Sequence, residues 1–375
     1  MELKRLVLHD EHRALGGKMV PFAGFEMPIH YSSIIDEHLA VRENVGCFDV
    51  SHMGEFRISG ADAELWLNRM TINNVSALAI GQAQYSAMLY PDGGMVDDLI
   101  VYRFSDHWML VVNAANIAKD FQWLQEHLEG EVKLRDISDE VTLLAIQGRN
   151  AVNVVSELFG EEIRELKYYH FQEFPCSVLY ISPTEGGDVF NGKIVVSRTG
   201  YTGDDGFEIY IFREYARSLW ARLWDAGRRW GMKPAGLGAR DSLRLEAGYC
   251  LYGNDIDATT NPIEAGLGWI TKITKPVDFI GKEAVIKAKA DIQRHLVGFV
   301  VNGKTLPRPH YDIKVNNQLV GHVTSGGFSP LLQKPIGLGY IKVPYHKEGT
   351  PVEISFKERA TPGVIVPKAF YKRDY

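Results

Sequence analysis

Two neighbouring carboxylates, Asp97 and Asp98, stand at the head of an apolar run in Pro91-Asp-Gly-Gly-Met-Val-Asp-Asp-Leu-Ile-Val-Tyr102. Pro-Asp-Gly-Gly is turn chemistry: proline presets φ, aspartate caps its own backbone, and the glycines permit φ > 0. Val96–Phe104 then predicts a strand buried on both faces or nearly so. With side chains alternating, Asp98 shares a face with Ile100, Tyr102 and Phe104, and Asp97 points the opposite way. A carboxylate facing an apolar surface is costly unless a cation or a hydrogen-bond donor meets it. That partner can belong to the fold or to a ligand, and the residues alone leave both open.

A second stretch is Ser197-Arg-Thr-Gly-Tyr-Thr-Gly-Asp-Asp-Gly-Phe-Glu-Ile-Tyr210. Gly200, Gly203 and Gly206 predict a loop whose backbone can approach a flat ligand. The strand after it sets Glu208 on a face with Tyr210 and Phe212. A carboxylate among aromatic rings can accept two parallel N–H bonds from an amino-pyrimidine edge while the rings cover its faces. A glutamate at a sheet rim, solvated or paired with arginine, fits the same pattern and is the default on composition alone. In the third stretch, Pro234–Gly248, helical spacing puts Arg240, Leu243, Arg244 and Ala247 on one face. Two cations among apolar neighbours need anions. A ligand oxygen or carboxylate would serve, and so would Asp204 or Asp205. The chain has no Walker loop, no His-Glu-x-x-His and no Cys-x-x-Cys, and Gly236-Leu-Gly238 lacks the third glycine of a dinucleotide fingerprint. Ser51-His52 are adjacent and so badly placed for a nucleophile and its base. His9, His12 and His170 read as surface or packing histidines.

The elements that must carry these groups mix helix and strand. Gln84–Leu89, Val96–Phe104 and Trp108–Asn113 predict a three-strand meander. Val141–Gln147 and Lys193–Ser197 predict further strands, with a helix at Ala151–Phe159 between them. Helices are also expected at Ser33–Asn44, Ala61–Arg69, Ile117–Leu128, Glu214–Ala226 and Gly238–Ala247. Such mixing points to α+β sandwiches and not to a doubly wound sheet. Beyond about residue 290 short strands follow one another, the pattern of a separate small β-barrel. With 375 residues, two or three domains are expected. A net charge of −6 opposes a broad nucleic-acid surface. Cys47, Cys176 and Cys250 show neither disulfide nor zinc spacing. With no 18-residue apolar run and no signal-peptide pattern, a cytoplasmic protein without a membrane span is expected.

Taken together, these residues resemble the T-protein (aminomethyltransferase) family of the glycine cleavage system. The matching stretches are Gly17–Pro28, Phe48–Phe56, Gly93–Tyr102, Val111–Asp120, Ser197–Glu208, Gly236–Gly248, Leu251–Trp269 and Thr324–Pro330. They span the chain in the family's order. The resemblance implies a three-domain cloverleaf around a central folate channel, with the first two domains interleaved within residues 1–290 and a β-barrel in residues 291–375. It implies transfer of a one-carbon unit from the aminomethyl-dihydrolipoyl arm of a lipoylated H-protein to tetrahydrofolate. Ammonia and dihydrolipoyl H-protein would be released.

By the same resemblance Asp98 is the catalytic carboxylate, Glu208 grips the pterin edge and Arg240 contacts a ligand oxygen or carboxylate. Tyr85, Asn113, Tyr169, Tyr201, Trp269 and Met53 match positions lining the folate channel. One departure is Ala369-Phe-Tyr-Lys-Arg373, where Lys372 holds the family's usual arginine position and Arg373 follows. Two other classes share the scaffold: a tetrahydrofolate-dependent demethylase and a non-catalytic folate-binding relative. The latter carries a Lys-Gly-Cys-Tyr-type motif, whose nearest counterpart here, Gly248-Tyr-Cys-Leu, has another order and no lysine.

Overall fold

The computed structural model describes residues 3–180, 189–357 and 359–375. Three sheets and a closed barrel are joined by helices. A five-stranded sheet runs Gln82–Leu89, Met95–Arg103, Trp108–Val112, Gly54–Ser59, Lys133–Asp136 in spatial order. A six-stranded sheet runs Phe171–Pro175, Lys193–Ser197, Gly206–Phe212, Val141–Gln147, Gly46–Asp49, Lys233–Pro234. The chain makes Gly46–Asp49, leaves to build the whole five-stranded sheet, and returns as Val141–Gln147 to pair antiparallel with the strand it left. This excursion is the interleaving that the resemblance implies. A small sheet of Lys4–Arg5, Phe25–His30 and Lys18–Phe22 completes the amino-terminal part.

The expected meander is present but forms three strands of five. Lys133–Asp136 carries no strand signal, because Lys-Leu-Arg-Asp is a mostly exposed edge whose polarity mimics a loop. Phe25–His30 hides its strand behind Pro28. The Pro91–Gly94 turn forms as the residues dictate. Asp92 Oδ1 accepts from Gly94 N at 3.0 Å, and Gly93 sits at φ +89°. A Cβ on Gly94 would fall 1.9 Å from Ala258 O, so this position also needs glycine for packing.

Packing follows the apolar faces. One core lies between the six-stranded sheet and helices Ala151–Phe159 and Ala216–Gly227. Another lies between the five-stranded sheet and helices Ala63–Met70 and Ile117–Glu126. A third joins the two sheets through Phe48, Tyr102, Val111, Leu143, Val195, Tyr210 and Leu243. The barrel closes in the order Arg294–Val301, Lys334–Lys342, Gln318–Ser329, Asp312–Val315, Pro351–Phe356, Arg359–Val366. Its third strand is longer than the short strands expected there, with a register shift between Val323 and Ser325. Among the described residues no helix is long and apolar enough to cross a membrane.

Candidate active site

The Met95–Arg103 strand delivers both carboxylates, and alternation sends them apart as the spacing predicts. Asp97 is fully buried. Its Oδ1 accepts from Asn113 Nδ2 and Asn116 Nδ2, each at 2.8 Å, and its Oδ2 accepts from Asn113 N at 3.2 Å. Asp98 is enclosed by protein yet keeps some accessible surface. Tyr85 OH donates to its Oδ2 at 2.8 Å, and Asn113 Nδ2 donates to its Oδ1 at 2.8 Å. Burial, then the neighbouring Asp97, pushes the Asp98 carboxyl up to about 7. No Lys or Arg lies within ion-pair distance of Asp98 among the described residues, so the fold supplies it with donors and no cation.

Tyr85 links this carboxylate to the rest of the wall. Its ring stacks on Trp269, with centroids 6.1 Å apart and planes at 30°. Trp269 is 63% exposed, so the ring pair runs from Asp98 to the surface. Tyr201 lies within electrostatic reach of both Asp98 and Arg240, whose guanidinium sits 4.8 Å from its ring centroid. Glu208 and Arg240 face one another across the site: burial raises the Glu208 carboxyl, and Thr199 and the Arg240 charge oppose that shift. Thr199 Oγ1 donates to Glu208 Oε2 at 2.5 Å, and Oε1 has no hydrogen bond among the described residues. Tyr169 lies near Glu208, held at φ +58°, a strained conformation for tyrosine. Met53, Ile100 and Tyr169 pack together against the core between the sheets.

Arg240 is the least expected of these groups. Among the described residues its guanidinium makes no hydrogen bond and no ion pair, and burial drags its basicity down despite Glu208. The two aspartates offered as partners by the sequence are taken elsewhere. Asp204 binds Arg42, and Asp205 binds Arg198 at 2.5 Å. Arg244, on the same helix, is satisfied by Asp241 and Asp255, both at 2.7 Å. An enclosed guanidinium beside an open carboxylate oxygen fits a ligand that brings both an acceptor and a donor edge. The glycine loop, by contrast, serves packing. A Cβ on Gly200 would fall 2.0 Å from Gln147 Oε1 and one on Gly203 would fall 2.8 Å from Ala247 Cβ.

Hydrogen bonds, ring contacts and electrostatic reach link Asp98, Asn113, Tyr85, Trp269, Tyr201, Arg240, Glu208 and Tyr169, while Met53 packs on the core between the sheets. Sequence reasoning missed Asn116, Thr199 and Asp120, which back up the first row. The signal for two of them is Asn113-x-x-Asn116-x-x-x-Asp120, a strand exit into a helix that turns toward the strand before it. Ser51 and His52 hold structural posts: Ser51 Oγ donates to Asp49 Oδ1 at 2.5 Å, and His52 packs 5.6 Å from the Phe22 ring. Burial and Arg240 hold His52 neutral, near a pKa of about 3. His12 is fully buried, 2.8 Å from Asp49 and 2.9 Å from Tyr31 OH. Of the two tail cations, Arg373 lies 3.4 Å from Asp205, and Lys372 has no ion pair among the described residues. A separate groove of about 610 Å³ lined by Leu65, Trp66, Arg69, Glu129 and Phe279 contains none of the site residues. Among the described residues no group of His, Cys, Asp or Glu is arranged to hold a metal ion.

An α+β body with a folded-back carboxylate strand, an enclosed acid–arginine pair and a closed carboxy-terminal barrel defines a class that other proteins share. A family model described as the GCVT N-terminal domain matches residues 8–275, and one described as the glycine cleavage T-protein C-terminal barrel domain matches residues 294–372. A crystal structure of the glycine cleavage system aminomethyltransferase T from Bartonella henselae superposes with a TM-score of 0.88 at 33% identity. That match covers 100% of this chain and 99% of that one. An aminomethyltransferase of Chloroherpeton thalassium is 48% identical over 99% of this chain and 100% of its own length. One from Bacillus mycoides is 44% identical over 99% of each. The chain belongs to the glycine cleavage T-protein family.

Proposed function

We propose that this protein is an aminomethyltransferase of the glycine cleavage system. It takes the one-carbon unit from the aminomethyl-dihydrolipoyl arm of a partner H-protein and passes it to tetrahydrofolate. Methylene-tetrahydrofolate, ammonia and dihydrolipoyl H-protein leave. The observation that carries the reading is Asp98: an enclosed carboxylate, fixed by Tyr85 and Asn113 and without a cation at ion-pair distance among the described residues. Such a group is poised to meet positive charge that arises only during reaction.

Tetrahydrofolate, when bound, supplies the ring nitrogen that accepts the carbon. Glu208 offers its open Oε1 to an amino-pyrimidine edge, with Oε2 pinned by Thr199. Arg240 offers a guanidinium to a ligand oxygen or carboxylate, since it forms no ion pair among the described residues. Tyr85, Tyr169, Tyr201, Trp269 and Met53 give the apolar faces that hold a flat ring and exclude water. Asp98, ionised, stabilises the positive charge developing on nitrogen and carbon and orients the nitrogen. It also accepts the nitrogen's proton on its way to the departing amine. We place the folate-binding core in residues 1–290, as two interleaved domains, and the barrel domain in 291–375.

The reading is tested by mixing the protein with glycine, the decarboxylase, lipoylated H-protein and tetrahydrofolate. Ammonia and methylene-tetrahydrofolate are expected together. Folate binding with neither product would reduce the protein to a folate-binding relative. Demethylation of a small methylated amine without H-protein would move it to the demethylase class.

A further inference from the structure

Behind the Asp97–Asp98 pair stands a third carboxyl, Asp120, in the first turn of the Ile117–Glu126 helix. It is fully buried, and neither of its oxygens has a hydrogen-bond donor among the described residues. Its carboxyl and that of Asp97 are near enough to interact, so that a proton on either one could bridge them. Lys119 Nζ is 3.7 Å from Asp120 Oδ1, but it donates to Val96 O and, at 3.0 Å, to Tyr252 OH. Tyr90 and Tyr252 face the Asp120 side of the cluster, and Tyr85, Tyr201 and Cys250 face Asp98. One partly committed ammonium therefore stands against three carboxyls.

Two touching carboxylates in a dry setting cannot both stay ionised, so one proton is shared between Asp97 and Asp120. Three N–H donors converge on Asp97 and favour its charged form. Asp120 has none, and can instead supply the donor that Asp97 receives. The helix amino terminus favours an anion at Asp120 only weakly. A like charge at contact distance outweighs that. Resting on the reading of Asp98 given above, we propose that Asp120 is a positioning residue: it carries the shared proton, keeps Asp97 ionised, and thereby holds Asn113 turned toward Asp98.

The consequence for Asn113 is geometric. Its Nδ2 sits 2.8 Å from Asp97 Oδ1 and 2.8 Å from Asp98 Oδ1, so its two amide protons span the two carboxylates. Rotating the amide would turn its carbonyl oxygen onto two anions. If Asp97 were neutral, that barrier would be lower, and the like charge that raises Asp98 would be gone. Burial and the Asp97 charge push the Asp120 carboxyl up to about 11, in accord with a retained proton.

Infrared difference spectroscopy and pH–rate profiles test this on the full chain. At about pH 8, where ordinary carboxyls are ionised, wild type minus Asp120→Asn is expected to show the carbonyl stretch of a buried protonated carboxyl. Asp120→Asn still donates to Asp97, so its turnover should stay within about threefold of wild type with the acid limb unmoved. Asp120→Leu removes the donor and Asp97 takes up the proton. Its turnover should fall about tenfold, and its acid limb should move at least about one pH unit lower because Asp98 loses its charged neighbour. No carbonyl band, an asparagine variant as impaired as the leucine one, or a leucine variant with an unmoved acid limb each overturns the proposal. Should Asp120→Leu fail to fold, the band and the asparagine profile still decide. Should the Asp98 reading itself be wrong, Asp98→Asn retains turnover while the band persists, so the two failures are distinct.

Discussion

Asp98 pays for its position in stability, and that gives it two measurable signatures. Its carboxyl is raised from the ordinary 3.8 to about 7 by burial and Asp97, so the folded chain holds a proton that the unfolded chain releases. Stability contributed by this group therefore grows as pH falls below about 7, and the ionised form strains the fold above it. Catalysis needs the opposite state, so turnover is expected to decline as pH drops through about 7. Asp98→Asn should lower turnover ~10²-fold or more while leaving folate binding nearly intact. It should also raise the melting temperature at about pH 8, a gain that shrinks as pH is lowered. Asparagine is accommodated because the Tyr85 hydroxyl can turn from donor to acceptor. Melting curves at several pH values together with the reconstituted assay check both halves. A lower melting temperature at high pH would mean that Tyr85 and Asn113 already offset the burial.

The Leu237–Ala247 helix shows how one element assigns opposite fates to two like side chains. Arg240 and Arg244 are one turn apart, yet Arg244 is locked to Asp241, Asp255 and, at 3.0 Å, Ser325 of the barrel. Arg240 lies over the Tyr201 ring and feels the Glu208 charge, without an ion pair among the described residues. Arg244→Leu is expected to destabilise by ~3–5 kcal/mol, since it strands a buried Asp255. Arg240→Leu should leave the melting temperature unchanged or higher and weaken tetrahydrofolate binding by about 10–100-fold. Calorimetry and equilibrium folate titration of the two variants separate these outcomes, and equal loss of stability would refute the assignment. Periodicity was enough to put both arginines on one face and Asp98 opposite Asp97, because such facts are local. It could not say that Asp204 belongs to Arg42 or that Asp255 belongs to Arg244, because those pairings are set by tertiary approach. The same limit hid Asp120, whose meaning appears only when its helix folds back on the Asp97 strand. The lining residues Tyr85, Tyr169 and Trp269 were legible through resemblance, not through spacing.

At the scale of the molecule, the division we propose near residue 290 is not a seam between independent bodies. One apolar core contains Ile72, Leu89, Met95 and Leu245 from the amino-terminal part together with Leu296, Ile336, Leu338 and Tyr340 from the barrel. Glu246 adds a polar node to that junction. Its carboxylate accepts from His38 Nε2 at 3.0 Å, Arg42 Nη2 at 3.0 Å and Leu331 N at 3.2 Å, and from Ser329. Its carbonyl accepts from Phe370 N and Tyr371 N of the tail, at 2.8 and 2.9 Å. Burial alone would raise this carboxyl, but the bonds from His38, Arg42 and Ser329 hold it down at about 2. A depressed folded pKa contributes stability above the ordinary 4.5 and loses it as pH falls toward about 2. The full chain should therefore melt in a single transition near neutral pH, barrel and body together. Glu246→Gln should lower stability by on the order of 3 kcal/mol at neutral pH, and the gap to wild type should close between about pH 4.5 and 2. Differential scanning calorimetry across that range decides the matter: two separated transitions in the wild type would show that the barrel folds alone, and a gap independent of pH would show that Glu246 acts by shape and not by charge.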